Sequence, residues 1–141
     1  MKTRDIVLLT GVIMFMLVLS ACSGNSLKDP LNGTAWALTS IDDTPPLENT
    51  SVTVEFTDGK IGGSSGCNSY GGLYKVSGQK ITTDSIAMTL MACMDSGVME
   101  QEQAFLEQLQ NIQTFELIED QLQLLNLNGK SLTFARNPLP I

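Results

Sequence analysis

The sequence predicts a mainly β (α+β) domain: a small antiparallel, barrel-like curled sheet of about seven or eight strands with one covering helix. Three observations predict it. Short alternating segments recur along the chain, separated by the hairpin dipeptides Asp58-Gly59, Ser77-Gly78 and Asn128-Gly129. A single stretch, Val98 to Ile112, switches to helical spacing. The chain has 141 residues, which allows one domain and hardly more. No internal repeat is visible.

The elements follow in order. Thr34 to Ser40 alternates, with Trp36 and Leu38 on one face. Asp42 to Leu47 contains Pro45 and Pro46 and stays out of a sheet interior, because proline lacks the N–H donor. Val52, Val54 and Phe56 share a strand face, and Lys60 to Gly66 is the glycine-rich return strand. Leu73–Val76 and Gln79–Thr83 form a second hairpin. The helix carries Val98, Phe105, Leu109 and Ile112 on its apolar stripe. Asp95 or Ser96 is placed to cap it, and Glu100 and Glu102 suit its positive end. Thr114–Ile118, Gln121–Leu127 and Lys130–Ala135 complete the strands.

Residues 1–21 read as a removable address. Lys2 and Arg4 precede an almost wholly apolar run from Ile6 to Leu19. That run is too short for a spanning helix, which needs about 20 residues. It fits a secretory h-region of about 7–15. It ends in Leu19-Ser20-Ala21-Cys22, which resembles a bacterial lipobox. The resemblance implies cleavage after Ala21 and lipidation and acylation of Cys22, which anchor the protein to a membrane. Ser23, in place of an aspartate, favours the outer membrane over the inner, with the domain facing the periplasm. Residues 22–30 read as the lipidated tether.

Composition excludes several functions. Eight Lys+Arg against 15 Asp+Glu give a net charge of −7, and removal of residues 1–21 makes it more negative. That balance argues against nucleic acid, whose binders cluster cations. The absence of histidine removes Ser-His and Cys-His catalysis and the usual imidazole metal ligands. Glu55, Asp58, Glu100, Glu102 and Glu107 read as solvated surface rather than as a catalytic pair. The protein is expected not to be an enzyme and to hold no metal or cofactor.

With Cys22 taken by lipid, Cys67 and Cys93 remain, in an oxidising compartment. Parity allows one pairing. Such a bridge contributes about 3 to 4 kcal/mol in the chain-entropy view. Met88, Met91, Met94 and Met99 surround Cys93. Thioethers suit Cu(I), but methionine is more often packing. Gly62, Gly63, Gly66, Gly71 and Gly72 surround Asn68 and read as glycines where strands bulge or cross. Asn68 and Tyr70 are the candidate ligand or partner contacts, although an asparagine in a turn commonly serves the backbone.

Three stretches together resemble the META domain of HslJ-like bacterial lipoproteins. They are Asn32–Leu38 (NGTAWAL), Gly66–Tyr74 (GCNSYGGLY), and Met88–Cys93 (MTLMAC) followed by Met99–Leu106 (MEQEQAFL). The resemblance covers residues 31–136, leaving 137–141 as a C-terminal tail. It implies a barrel-like fold with one helix and a link to envelope stress and antibiotic tolerance. It carries no catalytic residues. The function expected is a monomeric, membrane-anchored binding or stress-protection module for a periplasmic protein or a small apolar ligand. The alternative is an inhibitor of an envelope hydrolase or protease.

Overall fold

The computed structural model describes residues 28–137, so residues 1–21, Cys22 and most of the 137–141 tail lie outside it. Along the chain run β1 (Thr34–Ile41), β2 (Thr53–Thr57), β3 (Lys60–Ser64), β4 (Ser69–Ser77) and β5 (Lys80–Met88). Then come α1 (Val98–Gln110), β6 (Ile112–Ile118), β7 (Gln121–Asn126) and β8 (Ser131–Arg136). Each strand pairs antiparallel with the next, and β8 returns to β1 to close the barrel. Closure leaves no free sheet edge. The architecture is the one the sequence predicts, a mainly β barrel with one helix among the described residues.

The inward faces fill the barrel with its own side chains. Trp36, Phe56, Leu122, Leu124, Leu132 and Phe134 are wholly buried. Phe105 joins them from α1, its ring edge-on to Tyr70 at 5.5 Å and to Phe134 at 6.5 Å. Burial of each such side chain contributes about 1.5–3 kcal/mol. The weakest seam is β5–β6, paired in the ladder only at Lys80 and Thr114. The helix connects these two strands and also braces the seam. Thr83 Oγ1 donates to the Leu109 carbonyl at 2.9 Å, and α1 packs on β5 and β8.

Several local expectations are corrected. β4 and β5 are longer than the sequence predicts: β5 runs beyond the predicted end at Thr83 to include Asp84–Met88. Gly71 and Gly72 permit this: the ladder bulges between Gly71 and Leu73. At Gly72 the Ile86 Cδ1 lies 2.6 Å from where a Cβ would sit. The helix takes its start from Gly97 at φ 83°, without a side-chain cap from Asp95 or Ser96. It ends at Gln110, and Ile112 opens β6 instead of closing the helix. The fold takes hold inside the stretch read as tether. Asp29 accepts hydrogen bonds from Tyr74 Oη at 2.6 Å and from the Leu31 N–H at 2.9 Å, and Leu31 is wholly buried.

Candidate functional site

The polar centre of the molecule is Glu102, on the inner face of α1 and only 2% exposed. Its Oε2 accepts the Asn68 backbone N–H at 2.7 Å and lies 2.5 Å from Ser65 Oγ. Its Oε1 accepts Asn68 Nδ2 at 2.7 Å. Burial pushes the carboxyl upward. Hydrogen bonds from Ser65, the Asn68 side chain and the Asn68 and Cys67 backbone outweigh that and hold it below the usual carboxylate range. Glu102 is therefore a buried anion, stabilised by donors and not by a cation.

Asn68 carries the network onward. Its Nδ2 also donates to the Met91 carbonyl at 3.2 Å, and its Oδ1 accepts Thr89 Oγ1 and the Met91 N–H, both at 2.8 Å. The side-chain amide is thus fully engaged. The Cys67–Cys93 disulfide, with Cα atoms 5.9 Å apart, fastens the same two segments a residue or two further along. The backbone from Thr89 to Cys93 is consequently held at both ends, although it is neither helix nor strand.

Thr89 and Cys93 turn their side chains inward to this network, whereas Leu90 and Met91, with Met94 just beyond, face solvent. Leu90 is 91% exposed, Met94 95% and Met91 56%. Met88 and Met99, partly exposed, line an open groove of about 600 Å³ against α1 that also carries Glu100 and Glu107. A second groove, lined by Cys93, holds Glu48 and Asp95. No lysine or arginine lines either groove.

Near the far end of α1, Gln108 makes a sparser tie. Its Nε2 donates to Asp42 Oδ2 at 2.7 Å, and Asp42 Oδ1 accepts the Ser131 N–H at 2.8 Å. Gln108 Oε1 is buried and has no partner among the described residues.

Against known families, the META domain model matches residues 29–138. The chain belongs to the META domain family. Its META domain is similar to a Burkholderia xenovorans protein solved by NMR, with 30% identity and a TM-score of 0.64. That alignment covers 77% of this chain and 85% of the other. A second NMR structure is 26% identical with a TM-score of 0.62, covering 74% of this chain and 90% of its own. A DUF4847 family protein from Bacteroides vulgatus, solved by crystallography, shares the fold alone. It is 16% identical with a TM-score of 0.53, over 79% of this chain and 97% of its own. No curated protein matches.

Within this META domain the sequence-predicted residues separate cleanly. Cys67 and Cys93 are bridged, as parity and compartment predict. Asn68 and Tyr70, the candidate contacts, are placed inside. Asn68 is 1% exposed and spends its amide on the network. Tyr70 is buried against Phe105, and its hydroxyl donates to the Thr53 carbonyl at 2.8 Å. Burial and nearby Glu55 push that hydroxyl's pKa upward. Cys22 lies outside the described residues. Among the described residues no group of three or more Cys, Asp or Glu is placed to hold a metal.

Glu102, read from composition as solvated surface, is the residue the sequence reading missed. A signal was present: 102 falls on the same helical stripe as Val98, Phe105, Leu106 and Leu109. An acidic residue within an apolar stripe needs a buried partner set. The exposed methionines correct the packing expectation as well, since Met91 and Met94 fill no core.

Proposed function

We propose that this META domain is a non-enzymatic binding module. It is held by lipid on Cys22 at the outer membrane, faces the periplasm as a monomer, and grips a protein partner through Met88–Met94. The observation that carries this reading is the pairing of a fastened backbone with exposed apolar side chains at Leu90, Met91 and Met94. Exposed apolar side chains at a fixed position favour association, because little ordering entropy is lost on binding. The acids that share grooves with Met88 (Glu100, Glu107) and with Cys93 (Glu48, Asp95) match a partner with an apolar pocket and a basic rim. They disfavour an anionic lipid surface as the occupant. The filled barrel interior supports recognition at the surface over storage of a small apolar molecule. For Cu(I), the bridge withdraws the Cys93 thiolate, leaving thioethers alone.

A protein-binding role in the envelope accords with the setting of stress and antibiotic tolerance that the family resemblance implies. The alternative, inhibition of an envelope hydrolase or protease, is favoured by the segment's fixed backbone. In-cell photo-crosslinking tests it, with probes at Leu90 and Met94 and a control probe at Leu127, which is 80% exposed on another hairpin. One discrete protein captured at Leu90 and Met94, and not at Leu127, is the expected result. Capture of nothing, or of the same mixture at all three positions, contradicts it.

A further inference from the structure

We propose that Met91 and Met94 form an oxidant-modification site, and that their conversion to sulfoxides by hypohalous acids releases the partner from the surface. The release step rests on the contact reading above; the modification step does not. Three observations carry it. The four described methionines are graded in exposure: Met94 is 95% exposed, Met91 56%, Met99 38% and Met88 36%. Thiols would normally intercept an oxidant first. The described cysteines, Cys67 and Cys93, are already bridged, so thioethers are the reduced sulfur this domain offers. Finally, the groups that fasten Thr89–Cys93 are the Asn68 amide, the Met91 backbone and the disulfide, none of them a thioether. Oxidation therefore changes the surface without loosening what holds it.

The chemistry balances simply. Hypochlorous acid transfers its oxygen to the thioether sulfur, forming one S–O bond as the O–Cl bond breaks. Sulfur gives up two electrons, chlorine leaves as chloride, and the proton goes to water. A flexible apolar side chain becomes a polar, chiral one. Such changes at Met91, next to Leu90 in the chain, and at Met94 replace exposed apolar side chains with strong hydrogen-bond acceptors, which an apolar pocket on a partner leaves unsatisfied.

The test uses the full-length lipidated protein in its membranes, treated with about one equivalent of hypochlorous acid. Peptide mass spectrometry then reads each methionine. Sulfoxide accumulating at Met94 and Met91 at least three-fold faster than at Met88 and Met99, with an unchanged melting temperature, is expected. Equal rates, faster oxidation of Met88, or a lowered melting temperature overturns the modification site. The second readout is the crosslink yield from a Leu90 probe. It should fall at least five-fold after oxidant in the otherwise native protein and stay constant in the M91L/M94L variant, which keeps the patch apolar. A yield that does not fall, or that falls equally in the variant, overturns release. If the untreated membranes give no Leu90 crosslink at all, the contact reading fails and release fails with it. The order of oxidation is decided independently by the mass spectra.

Discussion

Two buried polar side chains of the helix tie it to the barrel, Glu102 near its start and Gln108 toward its end, and the two ties are built differently. Near its start, Glu102 receives donors from Ser65 and Asn68, and its hydrogen-bonding groups are matched. Toward its end, Gln108 meets Asp42 with its amide nitrogen and leaves its carbonyl oxygen unpartnered. The first tie reaches beyond the helix, through Asn68 to Met91, and is reinforced by a disulfide. The second reaches Asp42 and the start of β8. The difference teaches where the molecule concentrates its polar order: beneath the segment that displays Leu90, Met91 and Met94. A buried, fully satisfied network rigidifies what it touches, whereas a half-satisfied one is easily replaced.

Removing Glu102 should have the largest effect. Glu102→Ala leaves the Asn68 amide and the Asn68 N–H without their acceptor, and unpaired buried donors cost about 1–3 kcal/mol each. A loss of about 3–5 kcal/mol in urea unfolding is expected. A loss below about 1 kcal/mol would mean that solvent replaces the network freely. The same tie predicts an acid sensitivity. The folded-state pKa of Glu102 lies below its ordinary value of 4.5. Its stabilisation is therefore complete above that value and is lost as pH falls through the lower folded-state pKa. In Glu102→Gln that part of the acid loss should vanish, leaving a flatter stability profile below pH 4.5. An identical profile in both proteins would assign the acid loss to other carboxylates.

Next in size is the disulfide. Cys67→Ser together with Cys93→Ser should lower stability by about 3–4 kcal/mol, the chain-entropy value for such a loop. The barrel's circular dichroism should be retained, since the core lies elsewhere. A loss of the barrel signal would show instead that the bridge is needed to close the sheet.

These two predictions also mark how much the residues announced in advance. The barrel was legible because its hairpins are punctuated by Asp58-Gly59, Ser77-Gly78 and Asn128-Gly129, each at a turn or, for Ser77-Gly78, one residue ahead of the Gly78-Gln79 turn. The helix was legible from the spacing of Val98, Phe105 and Leu109, and the disulfide from parity. The length of β4 and β5 was not, because Gly71 and Gly72, legible as bulge glycines, do not say how far the strands run on either side. Only the approach of Ile86 across the ladder makes glycine the fitting residue there. The role of Asn68 was half legible: it does serve backbone, but that of Met91, 23 residues away. Composition hid Glu102, since a surface carboxylate and a buried one look alike until the donors are assembled around it.

The smallest effect should come from the other tie. Gln108→Met removes the unpartnered Oε1 and frees Asp42, which is solvent-exposed and can be hydrated. Gain and loss nearly cancel, so thermal unfolding should shift by less than about 1 kcal/mol equivalent. A destabilisation approaching that of Glu102→Ala would erase the distinction between the two ends.

Thr89–Cys93 is a fixed platform despite having no regular secondary structure. Native-state hydrogen exchange at the Met91 amide, which donates to Asn68 Oδ1 at 2.8 Å, tests it most directly. Protection within about 1 kcal/mol of global unfolding is expected, and its loss in Glu102→Ala. Exchange at the rate of an unstructured peptide in the native protein would contradict it, and the exposed apolar side chains would then belong to a loop with no fixed geometry to offer a partner.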